Sequence, residues 1–161
     1  MDILKNWKAI SIHFSKSFKS SLHVSIASVD AENNPTVTPI GTLFLNDNPT
    51  GFYFEKFPSK LPEHAKRNNN ICILGVNSNR WLWVKSLYKV KFKEYPALKL
   101  YGTLGQRRKA TEKEIYRLKR RMSSTKRLKG HRYLWGSMAF IREVHFTKAE
   151  KINLNKMASD L

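Results

Sequence analysis

Residues 21–76 read SLHVSIASVDAENNPTVTPIGTLFLNDNPTGFYFEKFPSKLPEHAKRNNNICILGV, and this order of apolar runs and turn formers decides the fold. Leu22, Val24, Ile26 and Val29 are separated mostly by polar or small residues, the pattern of a strand with one buried face. The DAENNP segment at 30–35 then reverses the chain, because Asn tolerates positive φ and Pro fixes its own. A second apolar run holds Val37, Ile40, Leu43 and Leu45 and ends in the turn formers NDNPTG at 46–51. The third, GFYF at 51–54, is short and aromatic, as suits a strand against a barrel core. A meander of antiparallel strands is expected, followed by a polar loop, a helix around 60–67, the Asn68, Asn69, Asn70 cluster and a buried strand, ICILGV, at 71–76.

The polar loop is where chemistry enters. Ser59 offers a hydroxyl and a backbone N–H at an N-cap, Lys60 puts a cation in the first turn, and Pro62 fits there because its missing N–H is not needed. A lysine at the positive end of a helix dipole is unfavourable unless an anion compensates it, and a bound phosphate is one such anion. The same residues are equally compatible with an ordinary cap beside a solvated lysine.

Four pieces in this order, PTVTPIGT at 35–42, YFEK at 53–56, SKL at 59–61 and NNNI at 68–71, resemble the FMN-binding split β-barrel superfamily that includes pyridoxamine 5′-phosphate oxidase. The resemblance covers residues 22–76 and extends more weakly over 98–154. It implies a mainly β fold with packed helices, a split β-barrel of the FMN-binding type, and a homodimer with FMN between the subunits. It places Thr38, Pro39, Ile40, Gly41 and Thr42 along the isoalloxazine edge, Glu55 and Lys56 at the ribityl chain or flavin edge, and Ser59, Lys60 and Leu61 at the 5′-phosphate. Leu61 and Thr38 stand where the family carries basic residues, so replacement charge is expected from Lys56, Lys66 or an arginine after Gly105. The family's substrate-side Arg-x-His is also missing, since Arg142 and His145 are spaced differently. The resemblance therefore implies a flavin-dependent oxidoreductase other than pyridoxamine phosphate oxidase, of unknown substrate, with two-electron chemistry at the flavin. A haem- or deazaflavin-binding relative on the same barrel is the first alternative.

Length and composition fit one domain over residues 1–161: a chain of this size buries a real core, and its 41% apolar content is ordinary. Ile3, Trp7, Ile10, Phe14 and Phe18 recur at spacings of three and four, which predicts a helix over about 2–20 with its apolar face on the barrel. No run reaches the ~18 apolar residues of a membrane span, so a cytoplasmic protein is expected. Cys72 lies alone in an apolar run and reads as a buried reduced thiol.

Beyond residue 76 the pattern loosens. Trp81 and Trp83 stand at strand spacing in a segment reaching Tyr95, placed either to pack in a core or dimer interface or to cover a flavin. ALKLYGTL at 97–104 reads as a strand. Thr111 with Glu114 forms a capping-box pattern opening a helix over about 111–129. In GHRYLWG at 130–136, His131 or Trp135 is placed to reach a neighbouring subunit's flavin or to pack in an aromatic turn. Residues 137–147 and 151–154 read as closing strands.

Charge is the competing signal. The chain carries a formal +18, and residues 107–132 hold Arg107, Arg108, Arg117, Arg120, Arg121 and several lysines against Glu112 and Glu114. Such a stripe suits a solvated face or a non-enzymatic nucleic-acid-binding protein gripping phosphates without base readout. The five histidines show no ligand spacing and there is no P-loop, Gly-x-Gly-x-x-Gly or Gly-x-Ser-x-Gly, so metal, nucleotide-loop and serine-hydrolase chemistries are not expected.

Overall fold

The computed structural model describes residues 1–58, 60–152 and 154–158. Helix α1 (Ile3–Ser21) starts where the Asp2 carboxylate accepts the Lys5 N–H and ends at Leu22, whose left-handed φ of 64° returns its N–H to Phe18 O. Between these caps the three-four spacing does its work: Trp7, Ile10, Phe14 and Phe18 are buried against the sheet.

Strand β1 (Val24–Val29) buries Val24, Ile26 and Ser28 on one face. Its turn into β2 (Pro35–Ile40) is built by Asp30, whose Oδ1 accepts the N–H groups of Glu32 and Asn34, with Asn33 at φ 64°. The second apolar run is then two strands rather than one. β2 stops at Ile40 and β3 (Leu43–Leu45) starts after Gly41 and Thr42, and the two lie at opposite edges of the sheet. The chain leaves one edge and crosses to the other, passing so near α1 that a Cβ on Gly41 would stand 3.2 Å from Leu22 O.

β4 (Thr50–Phe54), α2 (Lys60–His64) and β5 (Asn70–Val76) follow in the expected order. The segment expected to alternate as a strand is instead helix α3 (Arg80–Lys89). The Asn79 side chain accepts the N–H groups of Trp81 and Leu82 and so caps it, while Trp83 turns inward, edge-on to Phe92 with ring centres 5.2 Å apart. β6 (Ala97–Lys109) runs further than the apolar residues alone indicate, because its last residues pair with β7 (Phe140–Lys151), a single strand where two were expected. The helix opened by the capping box, α4 (Glu112–Arg121), ends at Arg121. The hydroxyls that follow it bond locally, Thr125 Oγ1 to Met122 O, giving a 3-10 turn at Ser123–Thr125 before helix α5 (Lys129–Trp135), which takes the place of the aromatic turn.

The seven strands form one antiparallel sheet in the order β2-β1-β5-β6-β7-β4-β3, curled into a half-barrel with five helices among the described residues. The main core lies between the sheet and α1, with Ile26, Tyr53, Ile73, Leu98 and Leu100 fully buried in it. A second core lies on the other face of the β3-β4-β7 edge, where α4 and α5 cover Phe44, Phe52, Phe54 and Ile141. Alternation along β4 explains both: Tyr53 points to the first core, Phe52 and Phe54 to the second.

Candidate functional site

The β1–β2 pairing sets one corner of the site. Thr38 stands opposite Ile26 and Thr36 opposite Ser28. The Ser28 hydroxyl lies 2.9 Å from Nδ1 of the buried His64, so α2 is fastened over this end of the β1–β2 pair. Lys60 opens α2 and is exposed, its ammonium 3.7 Å from Glu63. Leu61 is fully buried in the main core, leaving its backbone alone for any ligand. Ser59 lies outside the described residues.

A second corner forms where the chain crosses between edges. Thr38 is half-exposed, Pro39 exposed and Ile40 buried, and the hydroxyl of the buried Thr42 donates to Phe54 O at 3.3 Å. That bond ties Thr42 to the end of β4, directly before Glu55. Four groups meet at the Glu55 carboxylate: two N–H groups of Arg142, the Nε of Arg107 at 3.2 Å and the Tyr53 hydroxyl at 3.1 Å. With its side chain only 5% exposed, Glu55 is a saturated structural anion. Burial, reinforced by Glu55, pushes the Tyr53 phenol well above its usual range. Lys56 is engaged too: its Nζ donates to Tyr133 O at 2.7 Å and stands over the rings of Phe57 and Tyr133.

Trp135 is carried by α5 to a different place, edge-on to His131 and lining a cavity of about 560 Å³ that also reaches Gly41. The cavity's other walls include Phe18, Phe44, Arg117 and Arg121. Phe18 was legible only as a core position and the two arginines only as part of a basic run, while Phe44 was not singled out. The missed signal was Arg117 and Arg121 at i, i+4 around the apolar Leu118, which puts both guanidiniums on the helix face that packs. Arg117 donates to Asn46 Oδ1 and Leu45 O and lies over Phe44 and Phe52; Arg121 donates to Leu43 O at 2.5 Å and lies 3.6 Å over Phe44 and 4.4 Å over Phe18. Together they cover carbonyls of the edge strand β3. Burial pushes both guanidiniums down, Arg121 to about 10.

The basic run is accordingly not one surface. Arg107 pairs with Glu55, and Arg108 with Glu114 and Glu143; Arg117 and Arg121 turn inward. Lys113, Lys119, Arg120, Lys126, Arg127, Lys129 and Arg132 remain exposed. Cys72 is half-buried and its thiol is pushed up by desolvation, the behaviour of an unreactive cysteine. Among the described residues, no helix is long and apolar enough to cross a membrane.

Solved structures give the architecture its name. An FMN-binding protein from Syntrophomonas wolfei superposes with a TM-score of 0.60 at 12% identity, over 94% of this chain and 95% of that one. A provisionally assigned pyridoxamine 5′-phosphate oxidase from Lactobacillus delbrueckii superposes at 0.52 with 19% identity, over 86% and 90%. The fold is the split β-barrel. A third split barrel, HupZ of Group A Streptococcus, superposes at 0.56 with 15% identity, over 89% and 94%. No family model and no curated protein matches this chain in sequence.

Proposed function

We propose that this split barrel is an FMN-binding flavoprotein, a homodimer with the cofactor between its subunits, serving two-electron redox chemistry on a small molecule. The observation that carries the reading is the α2 corner. The Ser28–His64 bond fastens α2, with the exposed Lys60 at its start, over the Thr36 end of the β1–β2 pair, and β2 runs from there through Thr38 to the crossing at Gly41 and Thr42. The residues fit such a ligand in part. Among the described residues Lys60 meets only Glu63, in an exposed i, i+3 contact, so its charge is available to a phosphate, and Thr38 adds a half-exposed hydroxyl. Glu55 and Lys56 are already engaged, and their part is to hold the end of β4 in position.

Bound there, FMN would supply a hydride acceptor and donor. The chain's own share is positional. Lys60 and the α2 backbone would hold the phosphate, Thr38, Pro39, Ile40, Gly41 and Thr42 would line the ring edge, and the Thr42–Phe54 bond would keep that edge from shifting. The spectrum of the protein as isolated, followed by FMN titration, tests this. Flavin bands, or quenching of FMN fluorescence that Lys60→Ala weakens about tenfold, are expected; colourless protein that never quenches FMN would sink the reading. The likeness to HutZ, a haem storage protein from Vibrio cholerae with a TM-score of 0.56 and 12% identity over 87% and 92%, favours haem as the second reading. A Soret band in place of flavin bands would decide for it.

A further inference from the structure

The arginines that bond to the sheet and its edge strands divide into two kinds, the rest being exposed. Arg107, Arg108 and Arg142, at the sheet, each meet a carboxylate. Arg117 and Arg121 form no ion pair among the described residues although both are half-buried. Taking a guanidinium out of water without an anion is costly, and backbone carbonyls and ring faces offset that only in part. Arg121 shows the deficit most plainly. Among the described residues it makes one hydrogen bond, to Leu43 O, and no fully buried side-chain donor there lacks a partner. Its remaining N–H groups therefore open onto the cavity it lines. Desolvation and the neighbouring Arg117 depress its guanidinium, which is the signature of a positive charge still short of a counter-ion.

The cavity walls specify what the counter-ion is attached to. The exposed Leu22 and the half-buried Met122 and Trp135 offer apolar surface, and the volume of about 560 Å³ is that of a small-molecule site. Lys19 and Arg120, both exposed, stand at its margin and add to the positive field. Guanidinium N–H groups beside an apolar wall match a carboxylate, with an aliphatic or aromatic body lying against Leu22, Met122 and Trp135.

We infer that this cavity between α1, the Gly41 crossing and α4 is a binding site for an amphipathic organic carboxylate, anchored by Arg121 and Arg117 and packed against Leu22, Met122 and Trp135. It is separate from the α2 corner, since Gly41 lies at the far end of β2 from Thr36, whose neighbour Ser28 touches α2. Gly41 is common to the cavity wall and to the proposed flavin edge, which makes the carboxylate a candidate substrate. That substrate role rests on the flavin reading; the binding itself does not.

Calorimetric titration of the full chain with octanoate and with octan-1-ol tests it, with and without FMN. Octanoate is expected to bind at least about tenfold tighter than the alcohol, because only the acid engages the guanidiniums. Arg121→Gln should remove that preference. Because this variant also uncovers Leu43 O and can lose stability, Ser15→Trp provides a second test. It adds bulk at an exposed residue of the cavity lining and should abolish octanoate binding while leaving the melting temperature unchanged. Equal affinity for acid and alcohol, or octanoate binding untouched by both substitutions, would overturn the proposal. So would competitive displacement of octanoate by FMN, which would make the cavity the flavin site itself. Octanoate binding to a protein that ignores FMN would keep this assignment and remove the flavin reading instead.

Discussion

Glu55 shows how a residue's role can be decided by a neighbour 87 positions away. Tyr53 of β4 lies opposite Arg142 of β7, and from there Arg142 reaches the Glu55 carboxylate with two N–H groups. Nothing local to Glu55, Lys56 and Phe57 announces that pairing, so a position read as a flavin contact is a buried ion-pair centre. Breaking it from one side leaves an uncompensated charge. Arg142→Ala is expected to cost about 3–5 kcal/mol, read from urea denaturation; a loss under 1 kcal/mol would mean that Arg107 alone satisfies Glu55. His13 is a second residue with a defined consequence. It is buried, bonded through Nε2 to Gly75 O, and desolvation holds its imidazole below the ordinary 6.5. The folded state thus refuses a proton that the unfolded chain accepts. The contribution to stability is complete above pH 6.5 and declines as pH falls below it. Melting temperatures at pH 7 and pH 5 should show a smaller acid loss in His13→Gln than in the native chain; equal losses would place the acid sensitivity elsewhere.

At the scale of elements, the helices whose ends are written locally were legible and the others were not. The capping box of α4 forms as its residues require: Glu114 N–H bonds Thr111 Oγ1, and the Glu114 carboxylate accepts the Thr111 N–H. Thr111→Ala should cost about 1 kcal/mol in thermal unfolding. Burial pushes the Glu114 carboxyl up, but bonds from Arg108 and Thr111 outweigh it and hold the group below its usual range. Its share of stability is therefore present above the unfolded carboxylate's pKa and lost as pH falls through the lower folded value. Where α4 stops was not legible, because the Thr125 hydroxyl that bonds Met122 O in the following turn also meets Nδ1 of His131 on α5, a partner the local pattern does not show. The case of α3 is the reverse. Trp81 and Trp83 suggest a strand, yet the Asn79 cap and the burial of Trp83 on Phe92 make a helix with Trp81 74% exposed. Short apolar runs carry both periods, and tertiary packing chooses between them. Asn79→Ala should therefore cost α3 about 1 kcal/mol, seen as faster amide exchange confined to that helix.

For the whole molecule, the proposed dimer makes a direct prediction. Light scattering after size exclusion should give twice the 18.8 kDa of one chain, with FMN present. A monomer that nonetheless holds FMN would show that one half-barrel suffices. The sequence by itself determined the succession of strands, the face of α1 that is buried, the turn at Asp30 and the split-barrel resemblance. Each depends on residues close together in the chain: alternation, three-four spacing, positive φ at Asn33, caps. The tertiary structure alone decided that residues 37–45 belong to opposite edges of one sheet, that Glu55 is spent on Arg142, and that Arg117 and Arg121 line a cavity. The physical reason is common to the two that concern charge. A charge's role is fixed by whether a counter-charge or only apolar surface is brought to it, and closing the half-barrel brings together groups that local sequence keeps far apart.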